Sequence, residues 1–261
     1  MESVLAIDAG NSSTTVALFV REGARILARS AIRGGISAAR GACAVAVRRA
    51  FAAADAAGMP VGAAMLASVT PAVNEAWRRL VREEAGLALG LVRHDMALPF
   101  AFGYPHPETT GADRIADMAA LATLHGAPAM AIDIGTAVTY DLLSRERVFF
   151  TGVIGPGPEI LARALHDYTA QLPLVEWWRE APPREPHDTA GAMLFGVDAG
   201  FAGALRETVA RLRPLAGEGA ALVATGGFAA RFVPALGLNI TIDPDLTLKG
   251  IGLIASGEAG C

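Results

Sequence analysis

Residues 4–19 read Val-Leu-Ala-Ile-Asp-Ala-Gly-Asn-Ser-Ser-Thr-Thr-Val-Ala-Leu-Phe, and residues 129–143 read Ala-Met-Ala-Ile-Asp-Ile-Gly-Thr-Ala-Val-Thr-Tyr-Asp-Leu-Leu. Each is a short apolar run, then Asp-x-Gly, then hydroxyl residues, then a second apolar run. Short apolar runs bounded by glycine predict buried strands joined by a turn. One such turn alone is also an ordinary hairpin, with Asp and Asn in favoured turn positions. Two copies with the same polar residues, about half the chain apart, predict a duplicated supersecondary unit with a cleft between the copies.

Around the two copies the pattern alternates. Helical periodicity fits 38–57, 72–86, 113–126, 157–170, 190–213 and the tail from 248. Strands fit 63–67, 148–154, 221–224 and 239–242. The chain therefore reads as α/β with a sheet in each half, divided at 1–117 and 118–261.

Composition narrows the chemistry. Of the 22 basic residues, Lys249 alone is a lysine, and it sits in Thr247-Leu248-Lys249-Gly250. That is not G-x-x-x-x-G-K-[ST], so P-loop chemistry is excluded. Lys249 is expected on the surface of the last helix. The net charge of −4 and arginines that come in pairs at most give no nucleic-acid footprint. Cys43 and Cys261 lie far apart, which disfavours a disulfide framework or zinc site and fits a reducing cytoplasm. The uncharged run 56–74 carries two prolines and two glycines, and reads as loop plus buried strand rather than a membrane helix. Aromatics make up 6% of the chain, which predicts tight helix packing rather than aromatic clusters.

Several stretches could carry chemistry. In Asp8-Ala9-Gly10-Asn11-Ser12-Ser13-Thr14-Thr15 the glycine exposes amide hydrogens, and Asn11 and the hydroxyls add uncharged donors. A carboxylate at such a turn can hold a hydrated magnesium ion near phosphates. Asp133-Ile134-Gly135-Thr136 repeats the arrangement. Thr225-Gly226-Gly227-Phe228 ends a strand where glycines permit close approach of a flat ligand such as adenine. Tyr104-Pro105-His106-Pro107-Glu108-Thr109-Thr110-Gly111-Ala112-Asp113-Arg114 is a stiffened loop that opens a helix. Asp113 there is a candidate proton acceptor, and the helix N-terminus is expected to lower its pKa. The same position also suits an N-cap. Gly152-Val153-Ile154-Gly155-Pro156-Gly157 is another glycine turn at a strand end.

Together, in order and spacing, these motifs resemble type III pantothenate kinase, of the acetate-and-sugar-kinase, heat-shock-70 and actin superfamily. The resemblance covers nearly the whole chain. It implies duplicated ribonuclease-H-like (actin-like ATPase) domains with a central nucleotide cleft. It implies ATP-dependent phosphorylation of the primary 4′-hydroxyl of pantothenate, the first step toward coenzyme A. Asp113 would be the base, with Tyr104, Gly111, Ala112, Arg114 and Thr189 binding pantothenate. Asp8 to Thr15, Thr136 and Thr225-Gly226-Gly227 would contact ATP. Asp8 would act near Mg2+, and Asp133 would hold a monovalent cation, K+ or NH4+. A homodimer is implied as well, while the charge, cysteine usage and composition above point to a cytoplasmic protein with no nucleic-acid or membrane partner. Three positions depart from the family pattern: Ser12 for threonine, Thr110 for leucine, and Asp188 for asparagine before Thr189. Two other readings remain open: a transcriptional accessory factor that uses the fold without catalysis, and another small-molecule kinase of the superfamily.

Overall fold

The Asp8 stretch folds as the sequence pattern requires. In the computed structural model, which describes residues 3–177 and 182–257, β1 (Ser3–Ala9) and β2 (Ser13–Val20) form an antiparallel hairpin with Asp8 opposite Thr15. The chain continues through β3 (Arg25–Arg33), α1 (Ile36–Ala56), β4 (Val61–Ser68), α2 (Asn74–Ala85), β5 (Leu89–Leu91), β6 (Ala101–Phe102) and α3 (Ala112–Ala120). Then come β7 (Ala129–Ile134), β8 (Ala137–Leu143), β9 (Val148–Pro156), α4 (Pro158–Asp167) and α5 (Thr189–Ala216). The described chain closes with β10 (Ala221–Thr225), α6 (Ala229–Phe232), β11 (Thr241–Ile242) and α7 (Leu246–Ala255). Among the described residues one sheet has the order β3-β2-β1-β4-β5 and the other β11-β10-β7-β8-β9-β6.

The chain divides into two compact units: residues 1–129, 143–151 and 245–261 in the first, and 130–142 with 152–244 in the second. In the first, β1 runs parallel to β4, and β4 parallel to β5. Leu5, Ile7, Val16, Leu18 and Leu66 turn one face of the sheet toward Val47 of α1 and Trp77 and Leu80 of α2, in a fully buried core. Alternate residues point the other way, because side chains along a strand alternate with period two. That second face receives α7, which also packs on α3. The approach is close enough to require glycine. A Cβ on Gly252 would lie 2.1 Å from the Phe19 ring, and one on Gly250 would lie 1.8 Å from the Ala116 carbonyl oxygen.

In the second unit the 28-residue helix α5 begins at an Asp188 N-cap, whose carboxylate accepts from the Gly191 amide at 2.7 Å. Asp and Asn both cap well, which accounts physically for aspartate at this position. Trp177, Phe228, Phe232 and Phe201 form a contiguous aromatic cluster.

The structure departs from the sequence expectations at several points. β3 was not anticipated, although its exposed and half-buried residues alternate along the strand. Aromatic clusters do form, one around Phe149 and one around Trp177. Lys249 is half-buried rather than on the surface, because almost every residue of α7 is covered. Cys43 is a free, buried thiol, and burial pushes its pKa up, which makes it inert. Cys261 lies outside the described residues. No helix among the described residues is long and apolar enough to cross a membrane.

Candidate active site

Within the first unit the β1–β2 turn is tied by the Gly10 amide donating to the Ser13 carbonyl at 3.0 Å. Asn11 and Ser13 are exposed, and Ser12 and Thr15 are half-buried. Thr14 is fully buried and its hydroxyl donates to the Gly34 carbonyl at 3.4 Å, so it faces into the fold. Asp8 is the penultimate residue of β1 and is partly open to solvent. Its pKa is pushed up to about 7, first by desolvation and then by the negative charge of Asp113, while Arg29 opposes the rise. Arg29, which the sequence reading did not single out, bridges to Asp245 at 3.1 Å.

Asp113 is in the first turn of α3, whose N-cap is Gly111, so the N-cap assignment for Asp113 is corrected. Its Oδ1 accepts from the Arg114 amide at 2.8 Å. A Cβ on Gly111 would lie 2.5 Å from that oxygen, so the carboxylate folds back over the glycine. The expected lowering of its pKa is also overturned. Burial raises it, and the Arg114 amide and guanidinium only oppose the rise. A helix N-terminus contributes a partial charge, and desolvation of a carboxylate outweighs it.

Tyr104 and Arg114 share a platform that sequence reasoning missed. The buried ring of Phe149 meets Tyr104 edge-on, with centroids 4.9 Å apart, and the Arg114 guanidinium lies 5.5 Å from the same ring. Only a strand over 148–154, ending in a glycine turn, was legible beforehand.

In the second unit, Asp133, Gly226 and Gly157 converge on one turn. A Cβ on Gly226 would lie 2.2 Å from Asp133 Oδ1 and 2.6 Å from the Ile134 carbonyl oxygen. Gly226 also has φ +89°, a left-handed conformation that glycine adopts without penalty. A Cβ on Gly157 would lie 2.2 Å from the Gly135 oxygen and 2.4 Å from the Thr136 oxygen. The Gly157 amide donates to the Thr136 carbonyl, and the Phe228 amide to the Ile134 carbonyl, both at 3.0 Å. Thr136 is half-buried, Thr225 is buried at the end of β10, and Thr189 is exposed at the first position of α5.

The pKa shift of Asp8 has a consequence for stability. An unfolded aspartate titrates near 3.8. Between that value and about 7 the folded protein holds the extra proton, so stability falls as pH rises through this window and is flat above it. Asp8→Asn is therefore expected to raise the melting temperature of the metal-free protein at pH 8 and to change it little at pH 5. Part of the side chain is open to solvent, and screening reduces the gain to a few degrees at most. Calorimetry at the two pH values checks this. Equal melting temperatures for variant and wild type at pH 8 would show that the charge is not strained.

Two sheets of mixed α/β chain, with paired Asp-x-Gly turns and a Gly-Gly turn at a strand end, place the chain in the actin-like ATPase fold class. The solved structures agree on the fold. The ethanolamine utilization protein EutJ from Carboxydothermus hydrogenoformans aligns with a TM-score of 0.55 at 17% identity, over 97% of this chain and 89% of its own. The ROK hexokinase from Thermus thermophilus aligns at 0.50 and 18%, over 98% and 99%. The particular family follows from sequence. The family model described as type III pantothenate kinase matches residues 4–211. A type III pantothenate kinase from Thermus thermophilus is 33% identical, over 95% of this chain and 96% of its own length. The chain belongs to the type III pantothenate kinase family.

Proposed function

We propose that this chain transfers the γ-phosphoryl group of ATP to the primary 4′-hydroxyl of pantothenate, the first step toward coenzyme A. The observation that carries the reading is Asp113. It is a desolvated carboxylate with raised proton affinity, folded back over Gly111 at the start of α3, in a chain of this family. In this reading Asp113 takes the hydroxyl proton as the oxygen attacks. Arg114 and Tyr104, steadied by Phe149, bind pantothenate together with Gly111, Ala112 and Thr189. The amides of Ala9 to Thr15 and the hydroxyls of Ser12, Ser13 and Thr15, with Thr136, Thr225, Gly226 and Gly227, hold the nucleotide. Phosphoryl transfer asks mainly for positioning and charge offset, and no lysine lies in any of these motifs.

The residues present fit the cations that the family implies. Asp8 and Asp113 repel each other, and a divalent cation beside Asp8 would relieve that repulsion. Mg2+ supplies charge neutralisation to the phosphates when bound. Asp133 Oδ1 and the Ile134 carbonyl oxygen both lie close to the Cβ position of Gly226, and oxygen donors of this kind suit a hard monovalent cation such as K+ or NH4+.

The proposal extends to a cytoplasmic homodimer. Supporting it is a groove in the second unit of about 910 Å³, lined by Tyr140, Leu161, Leu165, Gly196, Gly200 and Phe201. Tyr168 and Ile154, which also line it, are 89% and 62% exposed. Light scattering that returns a monomer mass at micromolar concentration would overturn this part, and recovery in a membrane or periplasmic fraction would overturn the location. We also propose that the internal repeat divides the chain near 117/118, supported by the matched β1–β2 and β7–β8 strand pairs.

Release of ADP by the purified protein, with Mg2+ and K+ present, tests the function. Turnover with pantothenate, and none with glucose or acetate, is expected. Pantothenate should also raise the melting temperature, since binding the native state must stabilise it. No turnover with pantothenate overturns the reading, and preference for a sugar or acetate would make the chain another kinase of the superfamily.

A further inference from the structure

Trp177 lies in the irregular stretch between α4 and α5 and yet is fully buried. Its ring stacks on Phe232 with centroids 5.6 Å apart and planes 8° from parallel, and meets Phe228 edge-on at 5.3 Å. Among the described residues its buried indole Nε1–H has no acceptor. A buried, unpaired donor is costly, so the residue is useful here for its ring face. That face carries the guanidinium of Arg231, 4.0 Å from the ring centroid. Arg231 Nη2 in turn donates to Asp198 Oδ1 on α5 at 2.7 Å.

A guanidinium can stack on an indole while hydrogen-bonding in its own plane, which an ammonium cannot do. Arg231 thus ties together three segments distant in sequence: the Trp177 stretch, α5 through Asp198, and α6. Phe228 directly precedes α6 and directly follows Gly226-Gly227. Its amide donates to the Ile134 carbonyl, beside Asp133. The clamp therefore bears on the turn where Gly226 contacts Asp133.

We infer that Arg231 is a positioning residue for the nucleotide: held between Trp177 and Asp198, it fixes Phe228, and through it the seating of the Gly226-Gly227 turn on Asp133 and Ile134. This rests on the assignment of Thr225 to Gly227 to ATP. Arg231 touches no reacting atom, so its removal should act on nucleotide binding and not on the chemical step.

The test compares R231M, R231K and W177F with wild type. The readouts are ADP affinity by calorimetry, KM for ATP, KM for pantothenate, and kcat. R231M and R231K are both expected to weaken ADP binding and raise KM for ATP about fivefold or more, since neither can stack and bridge at once. Their kcat and KM for pantothenate should stay within about twofold. W177F keeps an aromatic face for the guanidinium while losing the unpaired donor and some buried packing volume, so it should melt lower than wild type and retain ADP affinity. R231K behaving as wild type would reduce the clamp to a simple charge pair and overturn the inference. Unchanged ADP affinity in R231M with only a lower melting temperature would do the same, leaving Arg231 a structural residue. Wild type that binds no ADP would overturn the nucleotide assignment itself, an outcome distinct from wild type and R231M binding equally well.

Discussion

Asp113→Asn is expected to lower kcat by about a hundredfold to ten-thousandfold, the range that a positioned general base contributes. At the lower end that corresponds to about 2.7 kcal/mol of transition-state stabilisation. Asparagine has nearly the same shape and its Oδ1 can still accept from the Arg114 amide, as Asp113 does at 2.8 Å. It cannot take a proton from the attacking hydroxyl. KM for ATP should therefore change little. Stability separates this effect from misfolding. Burial raises the Asp113 pKa above that of an unfolded aspartate, so the ionised form is disfavoured in the fold and its cost is fully present above the folded pKa. The variant should melt no lower than wild type at pH 8. It also removes the negative charge that helps to raise the pKa of Asp8, so Asp8 in the variant should ionise at lower pH. ADP release with pantothenate, alongside calorimetry, checks both parts. Near-normal turnover would remove Asp113 from its assigned role.

Much of this arrangement was legible in the sequence because short-range rules govern it. The apolar run before Asp8, the glycine two residues on, and the hydroxyl residues beyond it specify a strand–turn–strand whatever surrounds them. The same holds for Asp133, and for Gly111 preceding Asp113 at the opening of α3. What stayed hidden depends on neighbours far away in the chain. Phe149 reads as an ordinary core phenylalanine, and only the fold brings Tyr104 and Arg114 to its ring. Arg231 reads as a helix-surface arginine until Trp177 and Asp198 are placed on either side of it. The acidity of Asp113 was misjudged for the same reason. A helix N-terminus is visible in sequence, whereas the desolvation that overrides it comes from packing. The strand β3 was missed because three arginines and two alanines lie among its nine residues, and alanine has little intrinsic preference for strands.

Gly250→Ala is expected to give the largest loss of stability. A Cβ at this position would lie 1.8 Å from the Ala116 carbonyl oxygen, 2.5 Å from its carbonyl carbon and 3.0 Å from its Cα. All three are backbone atoms of α3, so no side-chain rotation can relieve the overlap, and α7 and α3 must separate. Overpacking of a core costs typically about 1–3 kcal/mol and sometimes more. With backbone as the obstacle, about 3 kcal/mol or more is expected here. For a chain of this size that lowers the melting temperature by roughly 6–12 °C. Gly203→Ala is the matched control. It also lies within a helix, but an added Cβ meets nothing within 4 Å, so the better helix propensity of alanine should stabilise the protein by up to about 1 kcal/mol. The two substitutions add the same methyl group and differ only in what it meets. The effect of Gly250→Ala should extend to activity, because the helix that must give way carries Asp113 in its first turn. Its kcat should therefore fall even at temperatures where the variant remains folded. A melting temperature within about two degrees of wild type, less than 1 kcal/mol on the same scale, would show that α3 and α7 are not so tightly seated. Asp113 would then owe its position to Gly111 and Arg114 alone.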